Sequence, residues 1–148
     1  MPHTARGTEA VRMERLILEE KESAVFSGCE PLRLRLRVRL AEPVENLRLR
    51  ITLRTETNQA VGTAWSAPMT LPEGEHTILF TLPMDMVVQG RFFASVGLYC
   101  PGEGRRPRQL DHVTRAFAFE IVPTEIAHPW SNDAYGPVQL PEIQGVLL

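Results

Sequence analysis

Apolar and basic residues alternate strictly along residues 31–54. From Leu32 to Leu40 every second residue is Leu or Val and each residue between them is Arg, and the alternation returns after a short break. A period of two places alternate side chains on opposite faces of a β-strand, whereas an amphipathic helix needs apolar residues at i, i+3 and i+4. The connection 41–46 contains turn-forming residues that suit a hairpin loop. The pattern predicts two neighbouring antiparallel strands with one apolar and one basic face.

Shorter apolar segments, separated by turn residues, continue along the chain. We expect an opening strand with one break in its alternation, a bulge, within 8–19, and an exposed loop rich in proline and glycine at 101–108. Further strands are predicted at 60–66, 75–83, 91–100 and 111–122. An apolar sheet face must be covered, usually by a second sheet, so the pattern predicts an all-β fold, a two-layer antiparallel β-sandwich of about seven to nine strands. The side chains expected in its core are Leu32, Leu34, Leu36, Val38, Leu49, Ile51, Phe80, Val96, Leu98, Phe117, Phe119 and Ile121.

The chain has 148 residues, enough for one domain with a sizeable core. Residues 1–7 are polar, and we expect them to be disordered or an artificial addition. Residues 8–148 then form a single β-sandwich domain, in which 123–148 is a proline-rich tail. The apolar residues of this tail are too many to leave in water. Pairing of the tail with a strand edge of a second copy would cover them, which favours a homodimer.

Positive charge is concentrated locally, although the formal net charge is only −2. Lys21 is the only lysine, the other fifteen basic residues are arginines, and seven of these lie in 31–54. The bulk charge argues against a nucleic-acid partner, whereas the local charge predicts a basic patch. The sequence shows no membrane-spanning run of about 20 apolar residues and no secretory signal. We therefore expect a cytoplasmic protein with free thiols, and whether Cys29 and Cys100 meet stays open.

The residues do not suggest catalysis, a metal or a cofactor. The neighbours Asp111 and His112 would point to opposite faces of a strand, which makes a poor acid–base pair. No pair of motifs suggests two carboxylates at the spacing of a glycosidase. The histidines lack the spacing of a metal chelate; they are His3, His76, His112 and His128. We expect a protein that is not an enzyme and that has no catalytic residue, metal or cofactor.

Two explanations of the arginine face stay open. Like charges opposite each other on neighbouring strands are destabilising, by up to about 1 kcal/mol per pair. One explanation is a solvated face that other strands neutralise, through Glu14, Glu73, Glu75 or Glu120. The other is an anionic ligand or partner surface, because the planar guanidinium group binds carboxylate or phosphate with two hydrogen bonds.

Aromatic side chains are further candidates for ligand contact, since sugar rings pack on Trp and Tyr rings. Tyr99 lies opposite the apolar face of its strand, so we expect it on an exposed sheet face. Tyr135 in the tail is another candidate, and Trp65 and Trp130 are also compatible with core or edge packing. The candidate ligand-binding residues are Arg35, Arg37, Arg50, Arg54, Tyr99, Trp65 and Trp130.

Four segments carry a resemblance to one protein family. They are Phe26-Ser27-Gly28 followed by Glu30, GRFFASVGL at 90–98, AFAFEIV at 116–122, and Gly136-Pro137-Val138. Across residues 9–140 the chain resembles the C-terminal carbohydrate-binding domain of the ATP-binding subunit of bacterial polysaccharide ABC exporters, the Wzt type that exports O-antigen.

The resemblance implies an immunoglobulin-like β-sandwich, with a jelly-roll-like variant as the alternative, that recognises the exported bacterial surface polysaccharide. It also implies a homodimer that exchanges a terminal strand, and partnership with a nucleotide-binding domain and a membrane permease at the inner face of the membrane. A phosphate-binding loop needs a lysine after glycines, and Lys21 lies among glutamates, so we expect a fragment of the ATPase or a free-standing relative. The alternative function is a structural or dimerisation module whose basic sheet face docks onto a protein partner.

Overall fold

The computed structural model describes residues 10–19, 23–27, 30–87, 89–102, 104, 106–122, 137–138 and 143–147. These residues form β-strands and their connections, and no helix. The strands are β1 (Val11–Leu18), β2 (Val25–Ser27), β3 (Leu32–Leu40), β4 (Val44–Thr55), β5 (Ala60–Trp65), β6 (Met69–Leu71), β7 (Gly74–Leu82), β8 (Gly90–Pro101) and β9 (Pro107–Val122).

The strands form two sheets that share one core. The three-stranded sheet has the order β1-β3-β7, and the six-stranded sheet has the order β2-β9-β8-β4-β5, with β6 paired on β4. The pairs are antiparallel except that the short β2 pairs with β9 in parallel. Alternate side chains of both sheets meet in a single hydrophobic cluster. The predicted all-β fold, a two-layer antiparallel β-sandwich, is confirmed.

The prediction that residues 31–54 form a hairpin is wrong. β3 and β4 belong to different sheets, and residues 41–43 connect one sheet to the other. The Ala41 N–H donates to the Ala10 carbonyl at 2.8 Å, which ties this connection to the start of β1. The leucines reach the core in either arrangement, because alternation fixes the buried face of a strand but not its neighbour. The arginines of β3 and those of β4 therefore lie on opposite outer surfaces of the sandwich.

The core contains the predicted side chains with two exceptions. All are buried except Phe80 and Phe117, which are half-buried and pack against the cluster. Phe80 lies on β7, at the edge of the three-stranded sheet, and among the described residues no further strand pairs with β7 on that side. Phe117 packs against Phe119 at the margin of the cluster, with ring centroids 6.0 Å apart.

A buried carboxylate links the two sheets where β1 is irregular. The predicted break in β1 is a register shift between Met13 and Arg15. The Met13 N–H donates to Asp111 Oδ2 at 2.7 Å, and Asp111 Oδ1 accepts the His112 N–H at 2.9 Å. Asp111 is only 4% exposed. It therefore satisfies a backbone donor of β1 from β9, as buried polar groups require.

The connection between β8 and β9 is shorter than the predicted loop at 101–108. β8 continues to Pro101, β9 begins at Pro107, and these two residues pair. Proline has no N–H to donate to a neighbouring strand, so it is accommodated at strand ends rather than inside a sheet. The final strand is thus longer than the predicted 111–122. The three-residue strands β2 and β6 were not predicted, because so short a segment carries no period.

Candidate functional site

On the outer face of the three-stranded sheet, Arg35, Arg37 and Arg39 of β3 pair with nearby glutamates. Arg35 lies 2.5 Å from Glu19, and Arg39 lies 2.6 Å from Glu14 and 2.7 Å from Glu75. The two glutamates raise the pKa of Arg39, and the hydrogen bond from Arg39 is the largest cause that lowers the pKa of Glu75. Neutralisation by Glu14 and Glu75 was among the expectations. Arg37 completes the network, 3.4 Å from Glu14 and 3.6 Å from Glu75.

Two rows of side chains cross the outer face of the six-stranded sheet. In register across β5, β4, β8 and β9, the first row is Trp65, Arg50, Gly97 and His112. Across β4, β8 and β9, the second row is Arg48, Tyr99 and Gln109. Because alternate residues of a strand share a face, these side chains form one continuous surface.

Gly97 allows the ring of Tyr99 to lie against the sheet. A Cβ at position 97 would lie 2.6 Å from Tyr99 Cε2 and 2.9 Å from its hydroxyl oxygen, closer than real contacts permit. Tyr99 lies on the outer sheet face, as expected from its strand position, but its side chain is only 4% exposed because Arg50 and Trp65 cover the ring. The Tyr99 hydroxyl accepts a hydrogen bond from Arg50 and donates one to Gln109 Oε1 at 3.3 Å.

Trp65 is the exposed aromatic side chain of this surface, with 38% of it accessible. Its ring meets that of Tyr99 edge to face, with centroids 5.3 Å apart. The guanidinium carbons of Arg48 and Arg50 lie 5.1 and 5.5 Å from the Trp65 ring centre, which are cation–π distances. Arg48 Nε also donates to the Ser66 carbonyl at 2.9 Å. These contacts orient the Trp65 ring without burying it.

Trp65 and Tyr99 line a concave pocket of about 520 Å³. The connection between β8 and β9 forms another part of its wall, through Gly102, Gly104 and Arg106. Binding sites for small molecules and cofactors have volumes of roughly 300–1,000 Å³ and combine apolar walls with a few polar groups. The pocket fits this description in both respects.

Tyr99 and His112, the titratable side chains of the two rows besides the arginines, have pKa values shifted towards their uncharged forms. Burial raises the pKa of Tyr99, although the charge and hydrogen bond of Arg50 oppose this shift. Burial lowers the pKa of His112, and the charge of Arg50 lowers it further while Asp111 opposes. Both shifts disfavour the charged form of the side chain. The charges that this surface presents at pH 7 are therefore those of its arginines.

The predicted ligand-binding residues divide between the two outer faces. Trp65, Tyr99 and Arg50 meet on the six-stranded sheet, as described. Arg54 lies farther along β4, where its Nη1 donates to the Asn58 carbonyl at 3.1 Å. Arg35 and Arg37 of β3 were expected beside the arginines of β4, but they lie on the other sheet because β3 and β4 do not pair.

Those neighbours, Arg35 and Arg37, are engaged with glutamates on the opposite outer surface. Trp130 and Tyr135 lie outside the described residues. Sequence reasoning did not select Arg48, Gly97, Gln109 or Arg106 for the site. A glycine two residues before Tyr99 on the outward face of a strand is the signal that marks where an aromatic ring can lie against the sheet.

The described residues contain no group of three His, Cys, Asp or Glu side chains that could hold a metal ion. Cys100 is a free thiol that lines the pocket, and Cys29 lies outside the described residues. No helix with the length and hydrophobicity to cross a membrane occurs in the part of the chain that the structure describes.

The fold and this surface define a β-sandwich module with an aromatic and basic pocket on the outer face of one sheet. The family model of the Wzt C-terminal domain matches residues 2–140, and the chain belongs to this family, a domain of the Wzt subunit of ABC exporters. The crystal structure of the C-terminal domain of wzt is similar, with a TM-score of 0.66 and 13% sequence identity, over 81% of this chain and 78% of that chain. That likeness shows the shared fold. No curated protein matches this chain significantly.

Proposed function

We propose that this domain is a non-catalytic carbohydrate-binding module, and that the polysaccharide of its exporter binds in the pocket beside Trp65. The observation that carries the proposal is the partly exposed Trp65 ring, held on Tyr99 at a pocket of about 520 Å³. A pyranose packs its apolar C–H face on such a ring, and its hydroxyls bond to nearby donors. Arg48 and Asn46 supply donors there. Membership in an exporter family suggests the exported polysaccharide as the ligand.

The opposite outer face supports this choice by contrast. Arg35 and Arg39 of this face already pair with Glu14, Glu19 and Glu75. Its hollow is smaller, about 230 Å³, and among the described residues no Trp or Tyr lines it. A sugar ring bound there would contact ion pairs but, among the described residues, no aromatic ring.

Calorimetric titration with the surface polysaccharide of the source organism tests the proposal. The intact domain should bind, and Trp65→Ala should weaken binding by at least about tenfold, because buried aromatic contacts dominate such interfaces. The matched control is the double variant Arg35→Ala/Arg37→Ala on the other face, which should bind as the intact domain does.

Two results would contradict the proposal. Binding by Trp65→Ala that equals the intact domain would remove the ligand from this pocket. No binding by the intact domain would favour the second candidate, a structural or dimerisation module whose basic sheet face docks onto a protein partner. The five exposed arginines of β3 and β4 that favour this candidate are Arg33, Arg35, Arg37, Arg39 and Arg48.

Within the exporter, we infer that the domain works in the cytoplasm, beside the nucleotide-binding domain and the membrane permease. Membership in the Wzt C-terminal domain family supports this placement. Co-purification of the domain with both components from membranes would support the inference, and its absence from such complexes would contradict it.

We also propose that the domain forms a homodimer through its tail. Ile143, Val146 and Leu147 are 92%, 83% and 101% exposed in the single chain. Covering these apolar side chains with a second copy removes them from water, and this burial stabilises the dimer. Light scattering at high micromolar concentration should give the dimer mass, and truncation after Val122 should give the monomer mass. A monomer for the intact chain, or a dimer after truncation, would contradict the proposal.

A further inference from the structure

The arginines of β3 and those of β4, on the two outer faces of the sandwich, have different contact partners. On β3, Arg35, Arg37 and Arg39 each lie within ion-pair distance of a glutamate. Among the described residues, Arg48 and Arg50 of β4 pair with no carboxylate and contact aromatic rings, a hydroxyl and a carbonyl oxygen instead. Those contacts orient the guanidinium groups but leave their positive charge uncompensated.

Part of this uncompensated positive charge lies at the pocket. Arg48 and Arg106 line it, and no Asp or Glu does among the described residues. Glu42 and Glu45 line a neighbouring pocket of about 350 Å³ that shares Asn46, Cys100 and Pro101 with the first. Among the ion pairs of the described residues, none joins Glu42 or Glu45 to Arg48 or Arg106. A guanidinium group without a carboxylate partner binds an anionic oxygen pair more strongly than it binds neutral hydroxyls.

We propose that the pocket selects an acidic sugar, one that carries a carboxylate or a phosphate group. The sugar ring packs on Trp65, and the anionic group binds Arg48 and Arg106. This inference rests on the proposed glycan binding and adds the chemical class of the ligand. A neutral sugar would use the same aromatic ring but would leave the two guanidinium groups without an anionic partner.

The test compares three forms of the source organism's surface polysaccharide: native, chemically reduced at its carboxyl groups, and dephosphorylated. The intact chain is titrated with each form by calorimetry. We expect one of the two treatments, the one that removes the anionic group, to weaken binding by about tenfold, the effect of losing one charged hydrogen-bond pair. That treatment also identifies the group as carboxylate or phosphate. Equal affinity for all three forms would overturn the inference.

Variants of the two arginines test where the anionic group binds. Arg106→Gln should weaken binding of the native polymer by about tenfold but binding of the neutralised polymer by less than about twofold. Arg48→Gln, which also loses its contact with the Trp65 ring, should weaken binding of the native polymer by about tenfold and more than binding of the neutralised polymer. Arg91→Gln is the matched control: it removes the same charge from an exposed side chain, 68% accessible, that does not line the pocket. It should change neither affinity by more than about twofold. Equal losses for both polymers in the pocket variants would overturn the inference.

Failure of this inference is distinguishable from failure of the proposed function. If native and neutralised polymers bind equally and Trp65→Ala weakens both, glycan binding stands and the selection of an acidic sugar falls. If none of the three polymers binds the intact chain, both proposals fall.

Discussion

Gly97 lies beneath the Tyr99 ring, at a position where any side chain would occupy the space of that ring. The ring in turn supports the edge-to-face contact with Trp65 and accepts the hydrogen bond from Arg50. The exposed aromatic ring of the pocket therefore rests on a residue that has no functional group of its own. A single methyl group at position 97 is enough to disturb this arrangement.

Gly97→Ala should weaken polysaccharide binding by about tenfold, because the displaced Tyr99 ring no longer supports Trp65. The expected cost in folding stability is about 1–3 kcal/mol, the usual range for an overpacked site. Calorimetric titration and urea unfolding measure the two effects. Gly62→Ala on β5 is the control, since a Cβ at position 62 meets nothing within 4 Å. Equal effects of the two substitutions would contradict the role given to Gly97.

His112 makes folding stability depend on pH. Its folded-state pKa lies below the ordinary value of 6.5, first because of burial and then because of Arg50, with Asp111 opposing. The unfolded chain therefore takes up this proton first as the pH falls. The contribution of His112 to stability is complete above pH 6.5 and is lost as the pH falls from 6.5 through the lower folded-state pKa.

Replacement of His112 by Gln should remove this part of the pH dependence. Urea unfolding at a series of pH values from about 8 to about 5 should show a shallower loss of stability for His112→Gln than for the intact chain. His76→Gln on the three-stranded sheet serves as control. A pH profile of His112→Gln that runs parallel to that of the intact chain would contradict the account.

At the scale of strands, the alternating pattern predicted which segments extend and which face of each is buried. It did so for β3 and β4 because the period of two is a local property of the chain. It did not predict that they belong to different sheets, because the pattern is equally satisfied by a hairpin and by a crossing between layers. Strand pairing depends on contacts far apart in sequence, which no local pattern encodes.

The candidate site shows the same limit. Trp65, Tyr99 and Arg50 were predicted one by one, because residue type and strand parity indicate an outward aromatic or basic side chain. Their meeting on one face, in two adjacent rows, and the contribution of Arg106 from the connection between β8 and β9, follow from the register of four strands. The site is therefore a property of the sheet rather than of any one segment.

Asp111 connects β9 to β1 across the sandwich, so its loss should affect stability more than an exposed carboxylate does. Asp111→Ala leaves the buried Met13 N–H without its acceptor, which should cost about 1–3 kcal/mol. Glu120→Ala, on the same strand, should cost no more than about 0.5 kcal/mol, because its side chain is 42% exposed. The midpoint of urea unfolding measures both. Similar midpoints for the two variants would contradict a linking role for Asp111.

At the scale of the whole molecule, the sandwich has two basic faces that differ in chemistry. On one face Arg35, Arg37 and Arg39 pair with Glu14, Glu19 and Glu75. The other sets its arginines around Trp65 and Tyr99 beside the pocket. We propose that glycan binds on the second face alone, and this proposal is the central claim.

Nuclear magnetic resonance of the ¹⁵N-labelled domain, titrated with oligosaccharides from the source organism's surface polysaccharide, tests that claim most directly. Amide signals of residues 48–52, 62–66 and 97–102, and the indole N–H of Trp65, should shift on binding. Those of residues 33–39 and 75–81 on the three-stranded sheet should stay in place, because the core of the sandwich separates the two faces. Shifts centred on residues 33–39, or no shifts at all, would contradict the claim.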